Sequence, residues 1–311
     1  MANKETILLA DDISDRSAKG RLRSRLIRDN ATEFAKKLDC SIELFYVRNL
    51  NSSFFKKKDT RAFLDSFESI RESILKEFSK MNVPAKVKIQ VGQPREEILK
   101  EIDFLEDPQM LILGTHGHKG VRKILLGSVA EEVIRSSRIP VFVLGPVAQE
   151  KKAVLKISPD MQILFLTDFS DSSLAAEEFV KTLCKKLGCS VLFLHNIGQQ
   201  IMNIRQNLYG SGYIPFNMEK MFSQMTEDAQ RELDRKTKAW AKQGFRATSI
   251  LVEKEETLDK HFKKQIRAQT GLIVMGTHGR NKVVTSFLGS TARSILLESP
   301  LPVIVVRASH K

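Results

Sequence analysis

Two stretches of this chain follow one pattern: LILGTHG at residues 111–117 and IVMGTHG at residues 273–279. After nine further residues, each stretch is followed by a Gly-Ser pair, Gly127-Ser128 and Gly289-Ser290. The apolar start has the length of a buried strand, and the residues after Gly-Ser are amphipathic, so each copy predicts a strand, a glycine loop and a helix. Because the first turn of a helix attracts phosphate, we predict one phosphate-binding loop in each half of the chain.

The repeat extends beyond the glycines. Three more landmarks recur in the same order: DISD at 12–15 and DFSD at 168–171, KKLDCS at 36–41 and KKLGCS at 185–190, and IPV at 139–141 and LPV at 301–303. Such repetition indicates duplication of a whole domain. With 311 residues, each copy is long enough to bury its own core. We therefore predict similar domains at 1–148 and 158–311, with a polar, helix-breaking connection around 146–160.

Strand-like and helix-like segments alternate in both halves. The first half predicts strands at 6–10, 41–47, 85–91, 110–114 and 141–144, and helices at 31–38, 60–81, 96–104 and 128–136. The second half predicts strands at 162–167, 190–195, 247–252, 272–276 and 303–306, and an irregular loop at 199–218. This alternation is typical of a doubly wound, parallel α/β sheet, which binds ligands at the carboxyl ends of its strands.

The composition is ordinary for a globular protein, with 42% hydrophobic and 28% charged residues. No apolar run approaches the roughly 20 residues that span a bilayer, and the first residues do not resemble a signal peptide. We therefore expect a cytoplasmic protein without a membrane partner. The three cysteines, Cys40, Cys184 and Cys189, lack metal-ligand spacing, and we interpret them as small buried apolar residues in a reducing compartment.

The net charge of +13 has its densest cluster directly after the first strand. Its members are Arg16, Lys19, Arg21, Arg23, Arg25 and Arg28. They lie in extra sequence, because 28 positions separate Asp12 from Cys40 whereas 21 separate Asp168 from Cys189, a difference of seven. Two interpretations stay open: a patch that faces nucleotide phosphates or nucleic acid, and a solvated helix face.

The glycine pattern has a direct chemical meaning. Gly114 and Gly117 let the backbone turn tightly and approach a ligand, while Gly127 and Ser128 offer amides and a hydroxyl at a helix start. Basic residues near the loops provide countercharge, namely His118, Lys119, Arg122 and Lys123 in the first copy and Arg280 and Lys282 in the second. Glycines also mark plain turns, and Ser128 with Glu131 matches a capping box that needs no ligand.

A carboxylate ends the first predicted strand of each half. Asp12 and Asp168 can accept hydrogen bonds from a base or a ribose, or act as turn and cap residues.

Both halves resemble universal stress protein (UspA) domains, on the LILGTHG and IVMGTHG stretches with their later Gly-Ser pairs. The resemblance covers nearly the whole chain and implies a Rossmann-like, five-stranded parallel sheet in each domain, with the domains paired through their last strands, 141–144 and 303–306. It also implies that Asp12 and Val47, or Asp168, line the adenine side of an ATP site. Ribose and phosphates would be held by Gly117, Gly127 and Ser128 in the first half, or by Gly279, Gly289 and Ser290 in the second. Asn196, at the position of Val47, departs from the family pattern.

The complete set of nucleotide-binding residues that we predict is Asp12, Val47, Gly114, Gly117, His118, Lys119, Gly127, Ser128, Thr167, Asp168, Gly276, Gly279, Arg280, Gly289 and Ser290. The ligand that the resemblance implies is ATP, alone or with Mg²⁺, and we predict no catalytic residue and no protein ligand to a metal.

The function we expect is a nucleotide-dependent regulatory or sensing module in the stress response, with an unidentified protein partner. A homodimer stays open. Two alternatives are a slow ATPase of the same fold and a basic protein associated with nucleic acid, although no interleaved aromatics or groove-reading helix favour nucleic acid. Thr115-His116-Gly117-His118 resembles a nucleotidyltransferase motif, but it follows the fourth predicted strand instead of the first. The six histidines show no metal-ligand spacing that would favour a hydrolase.

Overall fold

The computed structural model describes residues 5–49, 60–115, 126–212, 216–254, 257–277 and 288–308. The strands are β1 Thr6–Ala10, β2 Ser41–Asn49, β3 Ala85–Gly92, β4 Pro108–Gly114, β5 Val141–Leu144, β6 Gln162–Leu166, β7 Ser190–Asn196, β8 Ala247–Val252, β9 Thr270–Gly276 and β10 Val303–Val306. The helices are α1 Ala18–Leu38, α2 Thr60–Lys80, α3 Pro94–Phe104, α4 Ser128–Ser136, α5 Pro146–Glu150, α6 Asp171–Leu187, α7 Ile197–Gly210, α8 Met218–Lys242, α9 Leu258–Gln265 and α10 Ser290–Glu298.

The described strands form one sheet in the order β3-β2-β1-β4-β5-β10-β9-β6-β7-β8. Neighbours within each half are parallel, as the alternation of strands and helices predicts. The last strands of the two halves are antiparallel, with Val303 opposite Val143 and Val305 opposite Val141. In each half the strand order reverses beside the first strand, at β1/β4 and at β6/β9, where a crevice opens in doubly wound folds.

Apolar residues pack on both faces of the sheet. One layer lies under α1, α2, α6 and α8 and includes Phe34, Phe142 and Phe165. The other lies under α3, α4, α9 and α10 and includes Phe45 and Phe262. With helices on both faces of a mostly parallel sheet, the predicted α/β class is confirmed. Each layer contains residues from both halves, so the halves are joined by continuous packing as well as by strand pairing.

Helix α1 begins at Ala18, so the prediction of a helix at 31–38 was too short. Ser17 caps the helix, because its Oγ accepts a hydrogen bond from the amide of Gly20 at 3.0 Å. The arginine cluster is therefore mostly helical, and its members divide between two environments. Lys19, Arg21 and Arg25 are exposed on the solvated face, whereas Arg23 is buried and Arg28 is partly buried.

The predicted irregular loop at 199–218 was wrong, because α7 occupies residues 197–210. Asn196 caps this helix by accepting a hydrogen bond from the amide of Gln199 at 3.0 Å. The glycines of the passage mark the end of the helix, where Gly212 has φ +72°. The second half thus passes directly from β7 into a helix.

The connection between the halves is packed against α1, although its polar composition predicted a helix-breaking linker. It contains the short helix α5, and Leu155 and Ile157 are buried. Asn30 joins it to α1, since Nδ2 donates to the carbonyl of Ala153 at 3.1 Å and Oδ1 accepts from the amide of Leu155 at 2.8 Å. The proposed domain limits of 1–148 and 158–311 stay predictions.

Candidate functional site

A pocket of about 550 Å³ opens at the carboxyl ends of β1, β2 and β4. Its lining residues are Ala10, Asp11, Asp12, Ser14, Arg23, Phe45, Tyr46, Val47, Arg48, Asn49, Pro94, Ile98, Leu113, Gly114, Gly127, Ser128, Val129 and Ala130. The helices α3 and α4 complete the wall with their first turns. The pocket lies at the reversal of strand order between β1 and β4, where this topology places ligand sites.

The structure brings together every predicted site residue of the first half that it describes. These are Asp12, Val47, Gly114, Gly127 and Ser128. Gly117, His118 and Lys119 lie outside the described residues, as do Gly279 and Arg280 of the second half.

Helix α4 begins at the pocket, and its N-cap residue provides no side-chain cap. Gly127 is the N-cap residue and makes no capping hydrogen bond through a side chain, so Ser128 is the first helical residue. The alternative prediction of a Ser128–Glu131 capping box was therefore wrong. The helices after β1, β6 and β7 are capped by side chains of Ser17, Ser170 and Asn196. Within the part of the chain that the structure describes, no side chain caps the amides at the start of α4, and such amides suit an anion.

Asp12 forms a local turn at the pocket. Its Oδ1 accepts hydrogen bonds from the amide and the hydroxyl of Ser14, at 3.2 and 2.6 Å. Both predicted roles of Asp12 are therefore compatible with its position, since the turn leaves the residue on the pocket wall.

Besides Arg48, two charged residues of the pocket were not predicted as site residues, Asp11 and Arg23. Asp11 is 3% exposed, and burial raises the pKa of its carboxyl. Its Oδ1 accepts a hydrogen bond from the hydroxyl of Ser24 at 2.6 Å, and the Nε of Arg28 lies 3.7 Å from Oδ2. The sequence carried a signal for each residue: Asp11 is half of an aspartate doublet at a strand end, and Arg23 belongs to the basic cluster.

In the second half, Thr167 and Asp168 belong to a network at the start of α6. Asp168 Oδ1 accepts hydrogen bonds from the hydroxyls of Ser170 and Ser173, each at 2.6 Å. The carbonyl of Thr167 lies 2.7 Å from His195 Nδ1. Two roles were predicted for Asp168, a ligand-binding residue and a turn or cap residue. Its contacts with Ser170 and Ser173 are typical of a turn or cap residue.

The described wall of the second half also carries a larger side chain at one pocket position. Leu166 replaces Ala10 as the last residue of the first strand, and it is 4% exposed. Phe262 of α9 is completely buried in the same apolar layer.

The glycine positions of the second half match those of the first. Gly276 ends β9, Gly289 is the N-cap residue of α10 without a side-chain cap, and Ser290 is the first residue of that helix.

No group of three or more His, Cys, Asp or Glu side chains among the described residues is arranged to hold a metal ion. No helix in the described part of the chain is long and apolar enough to cross a membrane.

Comparison with solved structures shows the same architecture. A crystal structure of a universal stress protein from Archaeoglobus fulgidus superimposes with a TM-score of 0.72 at 22% sequence identity, covering 98% of each chain. At this identity the likeness shows the fold.

Sequence comparison shows the family. A universal stress protein of Methanocaldococcus jannaschii is 36% identical over 111 residues, which are 35% of this chain and 68% of that relative. A universal stress protein of Mycobacterium tuberculosis is 23% identical over 210 residues, and the match spans 67% of this chain and 65% of the relative. The model of the universal stress protein family matches residues 5–145 and 161–307. With both halves matched, the chain belongs to the universal stress protein family.

Proposed function

We propose that the first half binds ATP in its pocket and that the chain acts as a nucleotide-dependent regulatory or sensing module in the stress response. One observation carries the proposal: the pocket unites an apolar wall with the uncapped first turn of α4. Its volume of about 550 Å³ lies in the range of small-molecule sites.

The two parts of the pocket suit the two parts of a nucleotide. Ala10, Phe45, Val47 and Ile98 provide apolar contact area for a flat base. The α4 amides and the partial positive charge of the helix N-terminus suit phosphate. Asp12, at the edge of the apolar wall, is placed to accept a hydrogen bond from the base or the ribose.

For the second half we propose weaker binding. Leu166 has a larger side chain than Ala10 at the same strand position, and Asp168 accepts hydrogen bonds from two serine hydroxyls. The start of α10 at Gly289 has no side-chain cap, as at α4, and it is therefore still suited to phosphate.

We assign a regulatory role because the expected effect of the nucleotide is a shift in conformational population, which a partner protein can read. A cytoplasmic location and a protein partner are parts of this proposal.

Titration calorimetry with ATP, with and without Mg²⁺, tests it on three proteins: the wild type, Gly127→Val and Gly289→Val. Both glycines have φ and ψ values that valine adopts without strain, −59° and 143° at Gly127 and −55° and 142° at Gly289. The side chain added at 127 would obstruct the pocket. We expect Gly127→Val to lose most of the ATP affinity and Gly289→Val to keep most of it. Equal affinities of all three proteins would contradict the assignment, and release of ADP during incubation would favour the slow ATPase.

A further inference from the structure

Arg23 lies directly against the first glycine of the phosphate-binding pattern. A Cβ atom added to Gly114 would be 2.7 Å from Arg23 Cγ and 2.9 Å from Arg23 Cδ, closer than carbon atoms pack. Glycine at this position therefore leaves room for the arginine stem to cross the end of β4. Arg23 is one of the residues that line the pocket.

The second half has a short hydroxyl in the same place. A Cβ atom added to Gly276 would lie 2.7 Å from the Oγ of Ser172, which belongs to the first turn of α6. The two halves thus differ at one equivalent contact, with an arginine in the first and a serine in the second. Arg23 and Ser172 each lie 13 positions before the shared Lys-Lys-Leu sequence at 36–38 and 185–187, so the halves differ in residue type at one position of the helix.

The guanidinium of Arg23 is buried without full compensation. Arg23 is 5% exposed, and its Nη1 lies 3.4 Å from the Oδ2 of Asp15, a long contact with a carboxylate that is itself 30% exposed. Its Nη2 has no hydrogen-bond partner among the described residues. A buried donor of a charged group without a partner costs free energy that an anionic ligand recovers.

Among the carboxylates of the pocket, Asp11 Oδ2 is also buried without a hydrogen-bond partner among the described residues, and the charges of Arg28 and Arg23 act on it. Asp12 Oδ1 accepts from Ser14, Asp11 Oδ1 accepts from Ser24, and Arg28 Nε lies 3.7 Å from Asp11 Oδ2. Arg48 also lines the pocket and has contacts of its own, so Arg23 Nη2 is the guanidinium nitrogen of this pocket that is buried without a hydrogen-bond partner among the described residues.

We propose that Arg23 Nη2 donates a hydrogen bond to a phosphate oxygen of the bound nucleotide, so that this pocket selects phosphorylated nucleotides over nucleosides. The inference rests on the proposed nucleotide site and deepens it. The arginine adds a formal charge to the α4 amides at the place where the second half has Ser172. Within the basic cluster, Arg23 thus contributes to ligand specificity, whereas the exposed Lys19, Arg21 and Arg25 form a solvated helix face.

Calorimetric titration with ATP, adenosine and inorganic tripolyphosphate tests the proposal on wild type, Arg23→Gln and Arg25→Gln. Arg25 is the matched control, since it lies on the same helix with a side chain that is 77% exposed. We expect Arg23→Gln to weaken binding of ATP and of tripolyphosphate about tenfold or more, which corresponds to one hydrogen bond from a charged donor. Adenosine affinity should stay within about twofold, and Arg25→Gln should match the wild type with all three ligands.

The outcomes separate the two proposals. If wild type binds ATP and Arg23→Gln binds it equally well, the role of Arg23 is refuted while the nucleotide site stands. Equal losses of ATP and adenosine affinity would show that Arg23 only shapes the pocket, and would also overturn the inference. If wild type binds tripolyphosphate through Arg23 but not ATP, the anion site stands and the ATP proposal fails. Absence of binding by ATP and tripolyphosphate alike would contradict both.

Discussion

Ala10 and Leu166 occupy the same position in the two halves. Each is the last residue of a first strand, with Ala10 opposite Leu113 of β4 and Leu166 opposite Met275 of β9. Ala10 lines the pocket, whereas Leu166 is buried in the apolar layer. One small side chain thus helps to keep space open at the crevice of the first half.

The variant Ala10→Leu should therefore close the pocket without disturbing the fold, since the second half already accepts leucine there. We expect ATP affinity to fall at least about tenfold, because the larger leucine side chain would occupy part of the pocket that the ligand needs. Calorimetry measures this change. Leu166→Ala is the companion variant, and it should leave the affinity of the first site unchanged; an Ala10→Leu protein that binds like wild type would refute this account of the pocket.

A buried ion pair holds α8 against α6. Lys236 Nζ lies 2.5 Å from Glu177 Oε2, and Trp240 Nε1 donates to Glu177 Oε1 at 3.0 Å. Lys236→Met should destabilise the protein by about 3 to 5 kcal/mol, because Glu177 stays buried without its counterion. Urea unfolding followed by tryptophan fluorescence measures the loss.

The adjacent residue provides the control for this ion pair. Arg235 contacts Glu232 at 2.7 Å, but its side chain is 69% exposed, so Arg235→Met should cost less than about 1 kcal/mol. Similar losses for Lys236→Met and Arg235→Met would show that burial does not set the strength of the contact.

Asn30 should be essential for the contact between α1 and the connection. The residue is completely buried, and its side chain satisfies the carbonyls of Leu26 and Ala153 and the amide of Leu155. Asn30→Ala leaves buried groups unpaired and should cost about 2 kcal/mol or more. Asn207→Ala, at an exposed position of α7, should change the free energy of unfolding little. A loss below about 0.5 kcal/mol for Asn30→Ala would contradict the bridging role.

Glu43 should make the stability depend on pH. Burial, together with the neighbouring Glu101, raises its pKa from 4.5 to about 7, against the opposing effect of Lys88 and Lys86. As the pH rises through this window, the unfolded chain releases the proton first, so the folded state loses relative stability.

Glu43→Gln removes this dependence because glutamine stays neutral. The stability of the variant relative to wild type should increase between about pH 5 and about pH 8, measured by urea unfolding at each pH. A constant difference across that range would show that Glu43 does not carry the effect.

Much of the fold could be predicted from the sequence, since the repeat and the alternation of strands and helices specify the sheet locally. The limits of β1, α4, β5 and β10 agree with the predicted segments. The early part of α1 was missed because arginines interrupt its apolar positions, although Leu26, Ile27 and Phe34 keep helical spacing. Helix α7 was missed because the glycines that end it were interpreted as marking the whole passage.

The site residues that act through their backbone could be predicted from the sequence. The residues whose position depends on tertiary packing were missed. Gly114 and Gly127 follow from the glycine pattern. The inward position of Arg23 depends on which face of α1 packs on the sheet, and the helix limits predicted from sequence excluded that residue. The importance of the difference between Ala10 and Leu166 is visible only in the structure, because the register with β4 and β9 shows that the two residues occupy the same position.

We propose that ATP lies in the pocket at the carboxyl ends of β1, β2 and β4 of the first half. A crystal structure of the chain grown with ATP measures this directly. We expect the base against Val47 and Ile98, and the phosphates at the amides that begin α4. An ATP molecule bound outside this pocket, or a crystal at saturating ATP in which the pocket holds only water, would contradict the claim.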